Sequence, residues 1–269
     1  MENPISFLLL ISFLSIFFTK TIADVVTFNV LKLGANPNGK TDSTKAFLTA
    51  WESACGSSKP ATIYVPRGKY LIKQAHFKGK CKNKAIIFRI DGTLVAPSNY
   101  NMIGNAKNWL LFHGVDGVSI HGGSLDGQGS GLWACKASSK PLGFSNSNNI
   151  AITGLTSLNS QMFHIVINWC KNVKLQAIKV LATGKSPNTD GIHVQLSSEI
   201  SILNSRISTG DDCVSIGPGT TNLRIQNIFC GPGHGISIGS LAKDFEEAGV
   251  QNVTDRSIIY LYLRTQQMV

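Results

Sequence analysis

Two acidic residues and one histidine recur at an even spacing in the C-terminal half of the sequence, and a third acidic residue adjoins them. The interval from Asp190 to Asp212 equals the interval from Asp212 to His234, and Asp211 directly precedes Asp212. Carboxylates that lie close together cannot all ionise freely, so one of them is expected to hold a proton at a raised pKa. A protonated carboxyl group beside ionised carboxylates, with a histidine that tunes the proton, is the chemistry of glycoside hydrolysis.

Two other interpretations of the same residues compete with this one. An aspartate before a glycine often only makes a turn, and paired aspartates can cap a loop. Three of the four acids between residues 127 and 243 belong to the group, which favours a common site over separate turns. A calcium site needs six or more oxygen ligands, and this group supplies too few. We therefore expect no metal here.

The strands that position these residues repeat along the chain. A turn residue followed by an apolar-polar-apolar triplet recurs at residues 117–120, 149–152, 172–175, 199–202 and 222–225. A second series of such triplets interleaves with the first, at residues 191–194, 213–216 and 235–238. Short strands that recur at nearly constant intervals between Gly or Asn turns predict an all-β fold, a right-handed parallel β-helix. A β-sandwich is the alternative, but its hairpins need no constant long repeat.

The second series places the acidic group. Asp190, Asp212 and His234 each precede one of its strands. Because equivalent positions of stacked coils lie about 4.8 Å apart, these side chains should form a ladder on one face, with Asp211 beside it.

Composition and one helical segment complete the fold prediction. Charged residues make up 15% of the 269 residues, against roughly 25% in average proteins, which argues against disorder and coiled coils. Residues 42–54 are the one good helical stretch, which Asp42 or Ser43 can cap. We expect a single solenoid domain over residues 24–269 with a short N-terminal helix as its cap.

Residues 1–23 have the pattern of a signal peptide. Residues 5–18 are an unbroken run of apolar residues and serines, and Thr21-Ile22-Ala23 offers a small-residue cleavage site. The run is too short to span a membrane, so we expect a secreted protein with no membrane attachment after cleavage. Six cysteines, without a C-x-x-C pair, then predict disulfides rather than zinc ligands.

The net charge of +10 is concentrated in one part of the chain. Residues 59–107 contain ten basic residues against Asp91 alone. This is either a solvated basic face or a surface that attracts a polyanion. No nucleic-acid motif with interleaved aromatics is present, and secretion makes nucleic acid the least favoured polyanion. An extracellular acidic polysaccharide is the favoured partner.

Three motifs surround the acidic group: SPNTDG at residues 186–191, STGDDC at 208–213 and GPGHG at 231–235. Supporting motifs are GSLDGQG at residues 123–129 and NSQMFH at residues 159–164. Together they resemble the plant polygalacturonases, a glycoside hydrolase family. The sequence is most similar to the pollen-type, exo-acting branch of that family. The similarity runs from about residue 28 to residue 254.

The resemblance implies hydrolysis of the α-1,4 links of polygalacturonic acid, with inversion of configuration and without a cofactor. It implies that Asp211 is the general acid, that Asp190 and Asp212 activate the water, and that His234 holds the protonation state of the acid. Exo and endo action stay open.

The resemblance also implies further site residues. Asn188 and His164 are expected to bind substrate, and Cys213 to pair with Cys230. The partners of the other four cysteines, Cys55, Cys81, Cys135 and Cys170, stay open. Asn252 begins an Asn-Val-Thr acceptor sequence for N-glycosylation.

The C-terminal part departs from the family. Family members continue to an Arg-Ile-Lys motif, whose basic pair grips the substrate carboxylate, and then to further coils. This sequence has no Arg-Ile-Lys, and residues 255–269 form a divergent tail. We therefore expect a monomer without the last coils, whose open end favours self-association. Two functions stay open: a secreted hydrolase of pectin in the cell wall, and an impaired, truncated member that at most binds pectin weakly.

Overall fold

The computed structural model describes residues 24–99, 102, 108–133 and 140–261. The predicted signal peptide and Cys135 lie outside these residues. The N-terminal elements are β1 (Val26–Asn29), a 3₁₀ helix (Val30–Leu33), β2 (Asn38–Asp42), α1 (Thr44–Gly56), β3 (Ala61–Val65), β4 (Lys69–Leu71) and β5 (Ala75–Lys78).

The remaining strands follow one another in successive coils. They are β6 (Ile86–Ile90), β7 (Thr93–Val95), β8 (Asn108–His113), β9 (Val118–His121), β10 (Ser124–Asp126), a short helix α2 (Ser130–Trp133), β11 (Lys140–Ser145), β12 (Asn148–Thr153), β13 (Thr156–Leu158), β14 (Ile165–Asn168), β15 (Lys171–Gln176), β16 (Lys179–Leu181), β17 (Ile192–Gln195), β18 (Ser198–Ser208), β19 (Val214–Ile216), β20 (Thr221–Cys230), β21 (Ile236–Ile238) and β22 (Gln251–Tyr260).

Each coil contributes to two parallel sheets. One sheet, of seven strands, has the order β5-β8-β11-β14-β17-β19-β21. The other strands form a bent sheet of fifteen strands, in which β18 pairs with β15 through its first half and with β16 through its second. The strand pairs between neighbouring coils are parallel, and a connection between parallel strands of one sheet is right-handed in about 98% of cases. The predicted right-handed parallel β-helix is confirmed.

Stacked aliphatic side chains fill the interior. Ile150, Val173, Ile200 and Leu223 face one another in register, each at most 2% exposed. The stack stays aligned because every coil turns at the same place. Three of the predicted turn residues, Asn149, Asn172 and Asn222, each have a φ of 55° there, and short polar side chains tolerate this left-handed backbone well. The amide of Asn172 also donates to Asn149 on the preceding coil, at 2.7 Å.

The helix α1 closes the N-terminal end, as predicted. Its buried face, which includes Phe47 and Trp51, packs against β1, β3 and β5. Of the two cap candidates, Asp42 bonds to the first turn: its carboxylate accepts from the backbone N–H of Thr44 at 2.9 Å, whereas Ser43 makes no side-chain cap bond. No helix in the described ranges is long and apolar enough to cross a membrane.

The divergent tail begins within a regular strand. Residues 255–260 form the second half of β22, which is in register with β20. Asp255 stands next to Ile225, at a position that aliphatic residues fill in earlier coils, and it is exposed. In the described part of the chain β22 pairs only with β20, so its other edge is not hydrogen-bonded to a strand.

Candidate active site

Asp190, Asp212 and His234 occupy equivalent positions in three successive coils. The strands β17, β19 and β21 pair in register from their first residues, and each of the three side chains lies two positions before its strand. Backbone hydrogen bonds continue this register beyond the strands, since the N–H of Gly191 donates to the carbonyl of Asp212 at 2.8 Å. The coils therefore place these three residues in the order that the sequence predicts, and we call them the ladder.

Asp211 lies against the ladder and contacts its histidine. Nδ1 of His234 is 3.1 Å from Oδ1 of Asp211, and the ligand atoms of Asp211, Asp212 and His234 all lie within 4.8 Å of one another. The hydroxyl of Ser237 donates to the carboxylate of Asp212. His234 is exposed while both carboxylates are partly buried, so the cluster opens to solvent on its histidine side.

Asp190 is the most buried carboxylate of the group, at 6% exposure. Burial raises the pKa of Asp190 to about 6; a hydrogen bond from Ser215 opposes this rise, and the charges of Asp211 and Asp212 add to it. A raised pKa within the group is thus present, but its largest cause is burial rather than the repulsion between carboxylates on which the sequence prediction relied. Its position also differs from expectation, because the resemblance places the proton on Asp211.

A second row of polar side chains supports Asp190 and was missed in the sequence. The Oγ of Ser215, which bonds to Asp190, lies 2.8 Å from Nδ1 of His193. The other ring nitrogen of His193 lies 3.1 Å from Oε1 of Gln195. His193, Ser215 and Ser237 are in register on the outer face of the seven-stranded sheet. All three residues are the polar, middle residue of an apolar-polar-apolar triplet in the second repeat series, and this shared position could have indicated them in the sequence.

Buried hydroxyl groups fix the two loops that carry the aspartates. The Oγ1 of Thr189 lies 2.7 Å from Oγ of Ser186 and 2.6 Å from Oγ1 of Thr209, and all three residues are completely buried. A Cβ at Gly210 would clash with the carbonyl oxygen of Ser186, so only glycine fits there. The serine, threonine and glycine of the two motifs thus hold the loop before Asp190 against the loop that leads to Asp211.

Two disulfides are present in the described ranges. The Cys213–Cys230 bridge, which the resemblance implied, links the residue after Asp212 to the end of β20. The second bridge joins Cys55 at the end of α1 to Cys81. Cys170 is free and buried, and burial raises the pKa of its thiol to about 11.

The two residues expected to bind substrate differ in position. Asn188 is exposed two residues before Asp190, with a φ of 52°. His164 is 0% exposed, and its Nδ1 lies 2.9 Å from the hydroxyl of Ser157 inside the wall. Burial lowers the pKa of His164 to about 3. A neutral, fully enclosed imidazole has no surface for a substrate, so we correct this expectation: His164 supports the wall, where its backbone N–H donates to the carbonyl of Asp190 at 2.7 Å.

The predicted glycosylation residue lies next to a turn asparagine of the preceding coil. Asn252 is exposed, and its amide donates to the side chain of Asn222 at 2.6 Å. Glycosylation of Asn252 stays a prediction.

A metal ion would find few ligands at the cluster. Asp211, Asp212 and His234 are the one group of three or more potential metal ligands in the described ranges. Two of them already bond to each other, and Ca²⁺ takes six to eight oxygen ligands. The arrangement fits proton transfer better than coordination.

Sequence comparisons find similar proteins over most of this chain. The profile of the glycosyl hydrolases family 28 matches residues 55–258. A polygalacturonase of Prunus persica is 62% identical over 247 residues, which cover 89% of this chain and 63% of that protein. An exopolygalacturonase of Zea mays is 44% identical over 237 residues, covering 84% of this chain and 58% of that protein. The chain thus spans about three fifths of the length of these curated relatives.

Solved structures show the same fold. An exopolygalacturonase from Thermotoga maritima superposes with a TM-score of 0.74 at 20% identity, covering 88% of this chain and 67% of that one. The polygalacturonase from Erwinia carotovora ssp. carotovora superposes with a TM-score of 0.70 at 22% identity, covering 88% of this chain and 69% of that one.

Proposed function

This chain belongs to glycosyl hydrolase family 28, and from that premise we propose that it hydrolyses the α-1,4-galacturonosidic links of polygalacturonic acid, the backbone of pectin. The observation that carries the proposal is the convergence of Asp190, Asp211, Asp212 and His234 on one partly exposed patch. Cleavage of a glycosidic link needs a proton donor and a base within reach of one bond, and this patch holds candidates for both.

In the proposed mechanism Asp211 protonates the leaving glycosidic oxygen. Its contact with His234 supports this role, because an imidazole 3.1 Å from one carboxyl oxygen can share a proton with it. Asp190 and Asp212, which occupy adjacent positions of the ladder, activate the attacking water. Inversion is the outcome expected when a water molecule, rather than a carboxylate, attacks the sugar.

The raised pKa of Asp190 limits when it can act as a base. A carboxyl group with a pKa of about 6 is protonated in acid and accepts a proton only as the pH rises through that value. Asp212 accepts a hydrogen bond from Ser237 and is less buried than Asp190. We therefore propose that Asp212 orients the water and that Asp190 takes its proton.

The place of action belongs to the same proposal. The substrate is a component of plant cell walls, and the N-terminal residues have the pattern of a signal peptide. We propose secretion into the cell wall, where the protein meets pectin as a monomer.

Replacement of Asp211 by Asn tests the function. Asn keeps the size of the side chain but cannot donate an acidic proton, and general acid catalysis contributes about 10²–10⁴-fold. We expect release of reducing ends from polygalacturonate to fall by that factor or more, with an unchanged melting temperature. The matched control is Glu199→Gln, which removes an exposed carboxylate elsewhere on the solenoid and should retain full activity. Unchanged activity of the Asp211→Asn protein would refute the assignment.

A second function has one observation in its favour. The sequence lacks the Arg-Ile-Lys motif that grips the substrate carboxylate in the family. A catalytically impaired member that binds pectin weakly through its basic region would show binding to polygalacturonate but no release of reducing ends by the unmodified chain. The activity assay therefore separates the two functions.

A further inference from the structure

We propose that a surface cavity beside α1 is a second binding site for carboxylate groups, and that it takes a distant part of the same acidic polysaccharide chain. The inference rests on the proposed function for the identity of its ligand. Lys78, Lys80 and Lys82 line the cavity together with His76, and we call it the lysine cavity.

The lysine cavity is large enough for a sugar ring. Its volume is about 370 Å³, and it lies between the C-terminal half of α1 and the segment that follows β5. The three lysines alternate with Gly79 and Cys81 along this segment, and all three are exposed.

The backbone of the lysine segment is held in place at three points. The indole N–H of Trp51 donates to the carbonyl of Lys78 at 3.0 Å, and the N–H of Lys82 donates to the carbonyl of Cys55 at 2.8 Å. Between these points the Cys55–Cys81 disulfide joins the segment to the helix. A fixed backbone loses little freedom when a ligand binds, so the ordering cost falls on the lysine side chains alone.

The charges of the lysine cavity are not neutralised internally. Elsewhere in the basic region, Lys59, Lys73, Lys84 and Arg89 each pair with an aspartate. None of the three cavity lysines forms an ion pair with any residue that the structure describes.

Glu52 is the one acid that lines the lysine cavity, which leaves a net charge of +2 from the lysines and this carboxylate. Burial lowers the pKa of His76, and so do the charges of Lys78 and His113, so its imidazole adds no charge at neutral pH. Repulsion among the three cations would be relieved by an anion with several carboxylates.

The position of the cavity favours a polymer over a small anion. His76 and Lys78 belong to β5, and the hydrogen-bonded order β5-β8-β11-β14-β17-β19 leads from there to the strand that follows Asp212. Five rungs at about 4.8 Å separate the two places by roughly 24 Å. A long chain that lies along this sheet can contact both places, whereas a sugar dimer at the acidic patch cannot.

The test compares two triple variants in an Asp211→Asn background, so that the polymer is bound and not cleaved. The first is Lys78→Gln with Lys80→Gln and Lys82→Gln. The matched control replaces three exposed lysines elsewhere on the solenoid by Gln, namely Lys32, Lys40 and Lys174, so both variants have the same net charge. Calorimetric titration measures the affinity of each for polygalacturonate and for digalacturonate over a salt series.

We expect the first variant to lose tenfold or more in affinity for polygalacturonate, with a shallower dependence on salt, because fewer ammonium groups contact the polyanion. Its affinity for digalacturonate should not change. The control should stay within twofold of the parent for both ligands, and fully methyl-esterified pectin should not distinguish the variants. An equal loss in the control, or no loss in the first variant, would overturn the inference.

Failure of the proposed function would be seen separately. Release of reducing ends by the unmodified chain decides whether the protein is a hydrolase. If the chain has no activity but its affinity for the polymer depends on the three lysines, the inference holds and the proposed function is wrong. If the chain is active but its affinity does not depend on these lysines, the proposed function holds and the inference is wrong.

Discussion

His234 and Asp211 are joined twice, by backbone and by side chain. The N–H of His234 donates to the carbonyl of Asp211 at 2.8 Å, and its Nδ1 lies 3.1 Å from the Asp211 carboxylate. The backbone bond fixes the distance between the two residues, although they are 23 positions apart in the chain. The side-chain contact therefore does not depend on two flexible groups meeting by chance.

Asp190 should make the protein less stable as the pH rises. Its pKa is about 6 in the folded chain and 3.8 in a model peptide, so between these values the folded state binds more protons than the unfolded state. Stability from this group is complete below pH 3.8 and is lost as the pH rises to about 6. Asp190→Asn, which stays neutral, should be more stable than the parent at pH 7 by roughly 1–3 kcal/mol.

Thermal melts from pH 4 to pH 7 measure this difference. The two proteins should have similar stabilities near pH 4 and separate as the pH rises. Glu199→Gln serves as the control, since it removes an exposed carboxylate and should give no stabilisation at pH 7. A constant difference across the series would show that Asp190 does not titrate in this range.

Ser215→Ala should move the acidic limb of the pH–activity profile. The Ser215 hydroxyl holds the pKa of Asp190 down, so its removal raises that pKa further. If Asp190 is the base, half-maximal activity should shift to higher pH by up to about 1 unit. Ser201→Ala, on the other sheet, is the control and should leave the profile in place. A lower rate with an unshifted profile would show that Ser215 does not affect activity by lowering the pKa of Asp190.

The two disulfides should differ in their effect on turnover. The Cys213–Cys230 loop spans 17 residues, so its double replacement by Ser should cost about 3 kcal/mol of stability. Because Cys213 directly follows Asp212, turnover should fall even at temperatures well below the melting point. The Cys55–Cys81 double replacement should destabilise the protein to a similar degree without this fall in turnover on short oligomers. Equal kinetics of both double variants would contradict the prediction.

The edge of β22 that pairs with no strand in the described part of the chain should promote self-association. Ile259 and Tyr260 are 49% and 41% exposed there, and residues 257–263 are apolar, β-prone and uncharged. Light scattering at tens of micromolar should detect species larger than the monomer. Ile259→Lys places a charge on the edge and should restore the monomer, whereas Lys174→Gln should not. A monodisperse monomer of the unmodified chain would refute the prediction.

The repeats made much of the fold predictable. Strands β9, β12, β15, β18 and β20 follow the first series, and β17, β19 and β21 follow the second. The strands β7, β10, β13 and β16 lack the apolar-polar-apolar triplet of the two series, so the repeats did not predict them. Their place is set by neighbouring coils rather than by their own sequence.

The site was predictable where it depends on spacing. Equal intervals along the chain place Asp190, Asp212 and His234 in register. The burial of His164 depends on side-chain packing, and the pairing of Cys55 with Cys81 depends on how α1 meets the segment after β5. The spacing of residues along the sequence indicates neither. The protonation of Asp190 depends on its burial for the same reason.

The position of the ladder at the end of a stack has a consequence for local opening. In the described part of the chain β21 is the last strand of the seven-stranded sheet, so His234 lies on the outermost rung, with Asp212 and then Asp190 further in. A stack in which each coil contacts only its neighbours frays from its ends, with protection from hydrogen exchange rising inward. Gentle warming would therefore release His234 before Asp212 and Asp212 before Asp190, and the proposed activity would be lost while most of the described coils were still folded.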